Sequence, residues 1–226
     1  MPVTYEATIE RIAEIAPQTR SFFLRLPSRS QFHFKAGQFL SFSLPVGGAT
    51  LTRPYTVASG PEDELLEICL NLVPNGPGSN YLFGLQAGDV LRFTGPWGTF
   101  TFEHPPDAEC VFISEGTGIA AIRPMLRRAL TAHGSQGLHL HQAAPDRDHL
   151  LYSVELEAAA ASHPRFNYEP LVARSLQTPI VERYIDGDSN RSRHFFICGV
   201  GDIVPQLRDR LRHAGYERRA VQYEKW

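Results

Sequence analysis

Cysteine is scarce in this sequence. The 226 residues include only 3 cysteines, Cys69, Cys110 and Cys198, which lie far apart and form no C-x-x-C pair. An odd number of widely separated cysteines argues against a disulfide framework. The missing C-x-x-C spacing also argues against a cysteine-ligated iron–sulfur cluster within the chain.

Long apolar runs and an excess of charge are also missing. No stretch approaches the roughly 20 apolar residues of a membrane span, and Met1–Glu6 does not resemble the start of a secretory signal. The formal net charge is -2, which predicts no general attraction to nucleic acid or anionic lipid. We therefore expect a cytoplasmic protein with neither partner. Arg123, Arg127 and Arg128 have helical spacing and predict a solvated helix face.

Several catalytic signatures are absent. The sequence contains neither the G-x-S-x-G of serine hydrolases nor the G-x-x-x-x-G-K-[ST] phosphate loop. His139 and His141 alternate along a predicted strand, but no carboxylate or cysteine stands at a convincing spacing for a third metal ligand. A solvated strand face is the expectation for this pair, and no metal site is predicted.

The first half of the chain is dominated by short runs with a period of two. Examples are Phe22–Leu26, Phe39–Leu44, Leu66–Leu72 and Val90–Phe93, separated by glycine-containing turns. About six evenly spaced strands predict a small antiparallel barrel.

After residue 105 the pattern changes to an apolar run, a turn and a helix. We expect strands at Cys110–Ile113, Leu138–Gln142, Phe166–Leu171 and His194–Cys198. Helices are expected at Ile119–His133, Leu150–Ala161 and Ile203–His213. This alternation predicts a mostly parallel sheet with helices on both faces. The predicted domains are residues 1–105 and 106–226.

Two segments carry groups suited to nucleotide binding. Gly116-Thr117-Gly118 follows a predicted strand and opens a helix, so its backbone N–H groups are available to a pyrophosphate. Alone, a G-x-G turn is weak evidence, because a plain strand–helix junction also uses it. Arg53-Pro54-Tyr55-Thr56 places a cation, a flat ring and a hydroxyl within four residues. Strict alternation would put Thr56 opposite Arg53 and Tyr55, unless the chain bends at Pro54 or the strand ends there.

Five motifs in order make the chain resemble the ferredoxin–NADP reductase superfamily over nearly its whole length. Arg53–Thr56 resembles the family's R-x-Y-[ST] flavin motif, and Gly76–Leu82 its second flavin segment. Gly95–Gly98 resembles the loop that closes the barrel, Gly116–Ala120 the nicotinamide-nucleotide turn, and Cys198–Asp202 the C-G segment. The resemblance implies a six-stranded antiparallel flavin-binding barrel followed by a parallel-sheet NAD(P)-binding domain, with the chemistry in the cleft between them.

The resemblance also implies the site residues. It assigns catalytic roles to Thr56 near flavin N5, to Cys198 beside the nicotinamide, and to Glu224 in a final strand that also carries an aromatic residue. Cys198 would position the nicotinamide ring and would not act as a covalent nucleophile. The implied FAD contacts are Arg53, Pro54, Tyr55, Thr56, Leu70, Leu72, Gly78, Ser79, Asn80, Thr117 and Trp226. The implied NAD(P) contacts are Gly116, Thr117, Gly118, Arg174, Cys198, Gly199, Gly201 and Asp202.

The chain departs from the family pattern near the nucleotide site. Glu115 stands where relatives usually carry a small residue, which puts a carboxylate near an anionic ligand. Ala143-Ala144-Pro145 replaces a frequent Gly-x-Arg, so one candidate cation for a 2′-phosphate is missing, and Arg147 and Arg174 are the remaining candidates. Gln177–Ile180 replaces the expected glycine pair. The preference between NADH and NADPH stays open.

The function implied is an FAD-dependent NAD(P)H oxidoreductase. Because the chain lacks its own cluster cysteines, we expect the electron acceptor to be a separate iron–sulfur protein such as a ferredoxin. One alternative is a reductase of free flavin or of ferric chelates. A second is a non-catalytic regulatory module that kept the fold, for which Glu115 and Pro145 are the best sequence evidence.

Overall fold

Six antiparallel strands form the first half of the chain in the computed structural model, which describes residues 2–103, 107–132, 134–172 and 176–226. They form one sheet in the order β4-β3-β6-β1-β2-β5. The strands are β1 (Thr4–Ala16), β2 (Thr19–Arg25), β3 (Phe39–Val46), β4 (Ala49–Thr56), β5 (Leu66–Asn71) and β6 (Val90–Trp97). A short helix, α1 (Pro77–Phe83), lies between β5 and β6.

Inward-facing apolar side chains hold this sheet around one core. Phe22, Phe42 and Phe93 are 0% exposed, as the period-two pattern requires for residues on the inner face. Val57, directly after β4, forms an antiparallel bridge with Ile68 of β5, so the two ends of the strand order meet. The predicted antiparallel barrel is confirmed.

Five parallel strands form the sheet of the second half, in the order β11-β10-β7-β8-β9. They are β7 (Cys110–Glu115), β8 (Leu138–Ala144), β9 (Phe166–Val172), β10 (His194–Gly199) and β11 (Val221–Lys225). The helices are α2 (Ile119–Thr131), α3 (Ser153–Ser162), α4 (Gln177–Val181) and α5 (Ile203–His213). The predicted parallel sheet is confirmed, whereas the predicted domain boundary falls at residues 104–106, outside the described residues.

Two helices differ from the sequence prediction. The helix expected from Leu150 begins at Ser153, because Tyr152 adopts a left-handed backbone with φ of 58° and turns the chain before the helix. Helix α4 was not predicted; it continues into a π-helical turn at Glu182–Asp186.

The expected solvated face of the His139 and His141 pair is wrong at His141. His141 is 2% exposed, its Nε2 lies 2.8 Å from the hydroxyl of Tyr184, and its Nδ1 lies 3.2 Å from the carboxylate of Glu169. Burial lowers the pKa of His141 to about 4. The prediction failed because Tyr184, in the π-helical turn, packs on this face of β8.

The expected solvated face of α2 is wrong at Arg123. Its side chain is only 13% exposed and contacts Glu67 of the barrel, whereas the side chain of Arg127 is 42% exposed. Helical spacing identified the face but could not show that the barrel packs against it.

Among the described residues, no helix combines the length and apolarity that crossing a membrane requires.

Candidate active site

A cavity of about 320 Å³ lies between the barrel and the parallel-sheet unit. Barrel segments around the ends of β4 and β5 and the start of α1 form most of its wall, and Thr117, Ala120, Val200 and Trp226 complete it. The predicted flavin-site residues that line it are Arg53, Pro54, Tyr55, Thr56, Leu70, Gly78, Ser79, Thr117 and Trp226. Leu72 and Asn80 are outside its lining.

The end of β4 brings the whole Arg53–Thr56 motif to this cavity. Strict alternation would have separated Thr56 from Arg53 and Tyr55, but β4 ends at Thr56 and the cavity extends around that end. Thr56 is 7% exposed, while Arg53 is exposed and donates to the neighbouring carbonyl of Thr52, at 2.9 Å. Burial raises the pKa of Tyr55, which keeps its ring neutral beside the cavity.

Gly78, at the start of α1, lets this helix approach the β4 motif. A Cβ atom at Gly78 would lie 3.0 Å from Cγ of Arg53 and 3.4 Å from the hydroxyl of Tyr55. Ser79 is held by its own turn, where its hydroxyl accepts a hydrogen bond from the N–H of Val73 at 3.1 Å. Asn80 instead donates its side-chain amide to the carbonyl of Gly76 at 2.8 Å, which turns it away from the cavity.

The two glycines of the Gly116–Gly118 turn are required for different physical reasons. Gly116 has φ of 54° with open space around its α-carbon, so its role is conformational. At Gly118 a Cβ atom would lie 2.3 Å from the carbonyl oxygen of Cys198, so this glycine is required by the close approach of β10. The turn itself is a 3₁₀ segment that leads directly into α2.

A second cavity, of about 170 Å³, adjoins the first. Asn71, Thr117 and Val200 line both cavities, and Gly116 and Pro145 line the second. The second cavity lies at the carboxyl ends of the parallel strands, where open α/β sheets bind their ligands. Two ligands occupying these cavities would therefore meet at the three shared residues.

The predicted catalytic residues Cys198 and Glu224 are partners in the register of β10 and β11. Burial raises the pKa of Glu224 to about 7. Burial also raises the pKa of the Cys198 thiol, which is 1% exposed. Neither side chain lines either of the two cavities described above, whereas Trp226, two residues beyond Glu224, lines the first cavity and packs edge-on against Phe39.

The remaining predicted nucleotide residues lie at the same sheet edge. Gly199 accepts a backbone hydrogen bond from Trp226 at 3.1 Å, Gly201 has φ of 71°, and Asp202 pairs with Lys225 at 3.0 Å. Glu115 ends β7 with its Cβ close to Gly199, and burial raises the pKa of its carboxyl. Arg174 lies outside the described residues.

Sequence reasoning missed several cavity-lining residues. Cys69 and Asn71 lie in β5, of which the sequence reading used only the apolar residues, and Val73 follows that strand. Ala120 and Val200 belong to the Gly116–Ala120 and Cys198–Asp202 motifs, but the sequence analysis assigned them no ligand contact. Their positions beside glycine turns were the available signal.

Comparisons with known proteins agree with this geometry. A family model described as an oxidoreductase FAD-binding domain matches residues 6–102, and one described as an oxidoreductase NAD-binding domain matches residues 112–208. Ferredoxin–NADP reductase B of Sorangium cellulosum is 30% identical over 237 residues, covering 98% of this chain and 97% of that protein.

Other relatives include components of oxygenase systems. The electron transfer component of toluate 1,2-dioxygenase from Pseudomonas putida is 26% identical, covering 98% of this chain and 67% of that protein. The reductase subunit of an aromatic O-demethylase from Amycolatopsis is 34% identical over 74% of this chain. The matched region is 51% of that subunit, so this chain spans about half its length.

Solved structures share the fold. A ferredoxin NADP⁺ reductase from Neisseria gonorrhoeae, solved with bound FAD and NADP, superposes with a TM-score of 0.84 at 22% identity and covers 98% of each chain. A cytochrome P450 reductase from Amycolatopsis gives a TM-score of 0.85 at 26% identity, covering all of this chain and 71% of that one.

Proposed function

Because this chain belongs to the ferredoxin–NADP reductase superfamily of FAD-dependent NAD(P)H oxidoreductases, we propose that its electron acceptor is a separate iron–sulfur protein such as a ferredoxin. For a one-electron carrier the balanced reaction is NAD(P)H + 2 oxidised carrier → NAD(P)⁺ + H⁺ + 2 reduced carrier. The observation that carries the reductase reaction is the pair of cavities that meet at Asn71, Thr117 and Val200, because it lets a flavin and a nicotinamide nucleotide lie side by side. The similarity to a ferredoxin–NADP reductase and to the electron transfer component of a dioxygenase supports the choice of acceptor.

The residues around the first cavity fit a flavin nucleotide. A Cβ at Gly78 would intrude between α1 and the Arg53–Tyr55 strand, so glycine keeps this space open. The exposed guanidinium of Arg53 is suited to a phosphate, and Tyr55 offers a neutral ring. A flavin bound here supplies the ability to accept two electrons together and release them singly.

Residues around the first cavity bind different parts of FAD in this proposal. Arg53 and the backbone at Gly78 and Ser79 hold the phosphates, while Tyr55, Leu70 and Trp226 enclose the ring system. Thr56 offers its hydroxyl at the buried end of the cavity. On the nucleotide side, N–H groups of the Gly116–Gly118 turn receive a pyrophosphate.

Cys198 and Glu224 have different tasks in this proposal. The thiol of Cys198 stays protonated, so it packs against the nicotinamide and does not attack it. Glu224 is half protonated near neutral pH, so its carboxyl can hold a proton at the edge of the site.

Arg147 and Arg174 remain the candidate cations for binding the 2′-phosphate of NADPH. We also propose that the protein is located in the cytoplasm.

Flavin retention separates the two enzymatic interpretations. Protein purified without added flavin should be yellow and should keep its colour through dialysis, and released FAD should be identified by chromatography. The R53Q variant should bind FAD about 10-fold more weakly, because a charge-assisted contact is lost. Loss of all flavin on dialysis would instead favour a reductase of free flavin.

Anaerobic titration with NADH and with NADPH tests the electron donor. Bleaching of the flavin by at least one nucleotide is expected, and the ratio of the two rates gives the nucleotide preference. The reduced protein should then pass electrons to a [2Fe–2S] ferredoxin faster than to free FMN or ferric citrate. Persistent yellow colour with both nucleotides would support the non-catalytic module.

A further inference from the structure

Five polar side chains meet at the contact between the barrel and the parallel-sheet unit. We call this group the interdomain cluster; it consists of Ser21, Glu67, Arg123, Tyr152 and Glu155. Ser21 and Glu67 belong to the barrel and the other three to the parallel-sheet unit. Ser21 is 0% and Glu67 4% exposed, so charge and hydrogen-bonding capacity are buried here.

The carboxylate of Glu67 is fully partnered across this contact. Its Oε1 accepts hydrogen bonds from the hydroxyls of Ser21 at 2.6 Å and Tyr152 at 2.8 Å. Its Oε2 accepts one from Nη1 of Arg123 at 2.7 Å. The same Nη1 donates to the carbonyl of Ala58 at 3.0 Å, so Arg123 contacts the barrel at two points.

Arg123 is in turn held within its own unit. Its Nε donates to the carboxylate of Glu155 at 2.9 Å, and its guanidinium lies 4.3 Å from the ring centre of Tyr152. The planar fork of arginine satisfies these directions together, which the single ammonium of a lysine could not do. The left-handed backbone of Tyr152 carries its hydroxyl into the contact.

The cluster joins two elements, β5 and α2, that both contribute residues to the wall of the first cavity. Glu67 lies three residues before Leu70 on β5, and Leu70 lines the first cavity. Arg123 lies three residues after Ala120 on α2, and residues three apart share one face of a helix. The start of α2 follows the Gly116–Gly118 turn, so a displacement of α2 would move the nucleotide turn relative to the barrel.

We propose that the Arg123–Glu67 pair is a positioning pair, which fixes the nucleotide turn against the flavin-facing strand at the separation that hydride transfer requires. This inference rests on the proposed function. A buried ion pair is weak evidence for stability, because desolvation offsets its attraction. Its geometric effect is larger, since a misplacement of about 1 Å at the reacting atoms can slow a reaction about 100-fold.

The test uses the FAD-bound protein and the double variant E67Q/R123M, which removes both charges and leaves an acceptor oxygen for Ser21 and Tyr152. Anaerobic rapid mixing measures the limiting rate of flavin reduction at saturating nucleotide and the nucleotide concentration at half-saturation. The matched control is R25M, which removes exposed ion pairs with Glu10 and Glu64 on the surface of the barrel rather than across the contact with the parallel-sheet unit. Reduction by dithionite reports on the flavin without the nucleotide.

We expect the limiting rate to fall about 10- to 100-fold in E67Q/R123M, while half-saturation, FAD retention and reduction by dithionite change less than about 3-fold. The long-wavelength charge-transfer absorbance that reports stacked rings should weaken in parallel. R25M should match the wild type. A limiting rate within about 2-fold of wild type, or a change confined to half-saturation, would overturn the inference.

A second variant decides the case where E67Q/R123M does not fold. R123K keeps the charge and most of the bulk but loses the fork, so its limiting rate should fall about 10-fold, and a wild-type rate would contradict the proposal. Failure of the wild-type protein to be reduced by either nucleotide would defeat the proposed function itself. A wild type that is reduced normally, with variants that equal it, would defeat only the positioning role.

Discussion

Cys198 and Glu224 occupy the same level of two neighbouring parallel strands, β10 and β11. The pairing puts the buried thiol of Cys198 beside the half-buried carboxyl of Glu224 at the carboxyl edge of the sheet, where the nucleotide is expected. Both groups have raised pKa values because burial disfavours their charged forms. The thiol of Cys198 therefore stays protonated over the physiological range, whereas Glu224 is protonated in about half of the molecules near pH 7.

The free energy of unfolding should depend on pH through Glu224. Its pKa rises from 4.5 to about 7 on folding. Between these values the unfolded state has lost the proton that the folded state keeps, so the free energy of unfolding falls as pH rises, by up to about 3 kcal/mol. In denaturant titrations from pH 4 to 8, the wild type should show a steeper fall than E224Q, because the other titrating groups are common to both proteins. Parallel curves would mean that the carboxyl titrates normally.

Substituting the two glycines of the nucleotide turn should separate packing from conformation. Alanine at Gly118 would put Cβ against the carbonyl oxygen of Cys198, so G118A should lose about 2–3 kcal/mol. G116A meets open space and should lose only about 1–2 kcal/mol from its left-handed backbone. Thermal melts of the two variants provide the comparison. Equal losses would show that β10 moves away easily.

Alanine at Gly78 should weaken flavin binding without unfolding the barrel. The added methyl group would crowd Arg53 and Tyr55, so the dissociation constant for FAD should rise about 10-fold in G78A. G84A, at the other end of α1, is the matched control, because a Cβ atom at Gly84 would lie 3.4 Å from its nearest neighbour, the carbonyl oxygen of Tyr81. Fluorescence titration of flavin-free protein measures both. Equal FAD affinities of G78A and G84A would show that Gly78 does not contribute to flavin binding.

The sequence predicted features that depend on consecutive residues, and it failed where a contact joins residues far apart in the chain. Arg53–Thr56 and Gly116–Gly118 were found because their chemistry lies within a few consecutive residues. Arg53–Thr56 lines the first cavity, and Gly116 and Thr117 line the second, while their contacts with FAD and NAD(P) stay predictions. Arg123 was misread because its partner, Glu67, is 56 residues away and spacing along α2 carries no information about the barrel. His141 was misread for the same reason, since Tyr184 covers it from 43 residues further on. The boundary between residues 105 and 106 stays a prediction.

The cysteines should be unreactive in the folded protein. Cys69, Cys110 and Cys198 are all free and no more than 4% exposed, and burial raises the pKa of Cys69 and Cys110 to about 12. At pH 8 a thiol with that pKa is ionised in roughly one molecule in 10,000, and only the thiolate reacts.

A colorimetric thiol titration should therefore detect no rapidly reacting cysteine in native protein and 3 after denaturation. The same reasoning predicts that C198S remains yellow and retains measurable flavin reduction by nucleotide, at a lower limiting rate, because the side chain packs and does not bond covalently. Fast labelling of Cys198 in native protein, together with complete loss of flavin reduction in C198S, would instead identify an activated thiolate. Its pKa would then have to be lowered by a cation, and the charged group facing Cys198 is the carboxyl of Glu224, which raises it.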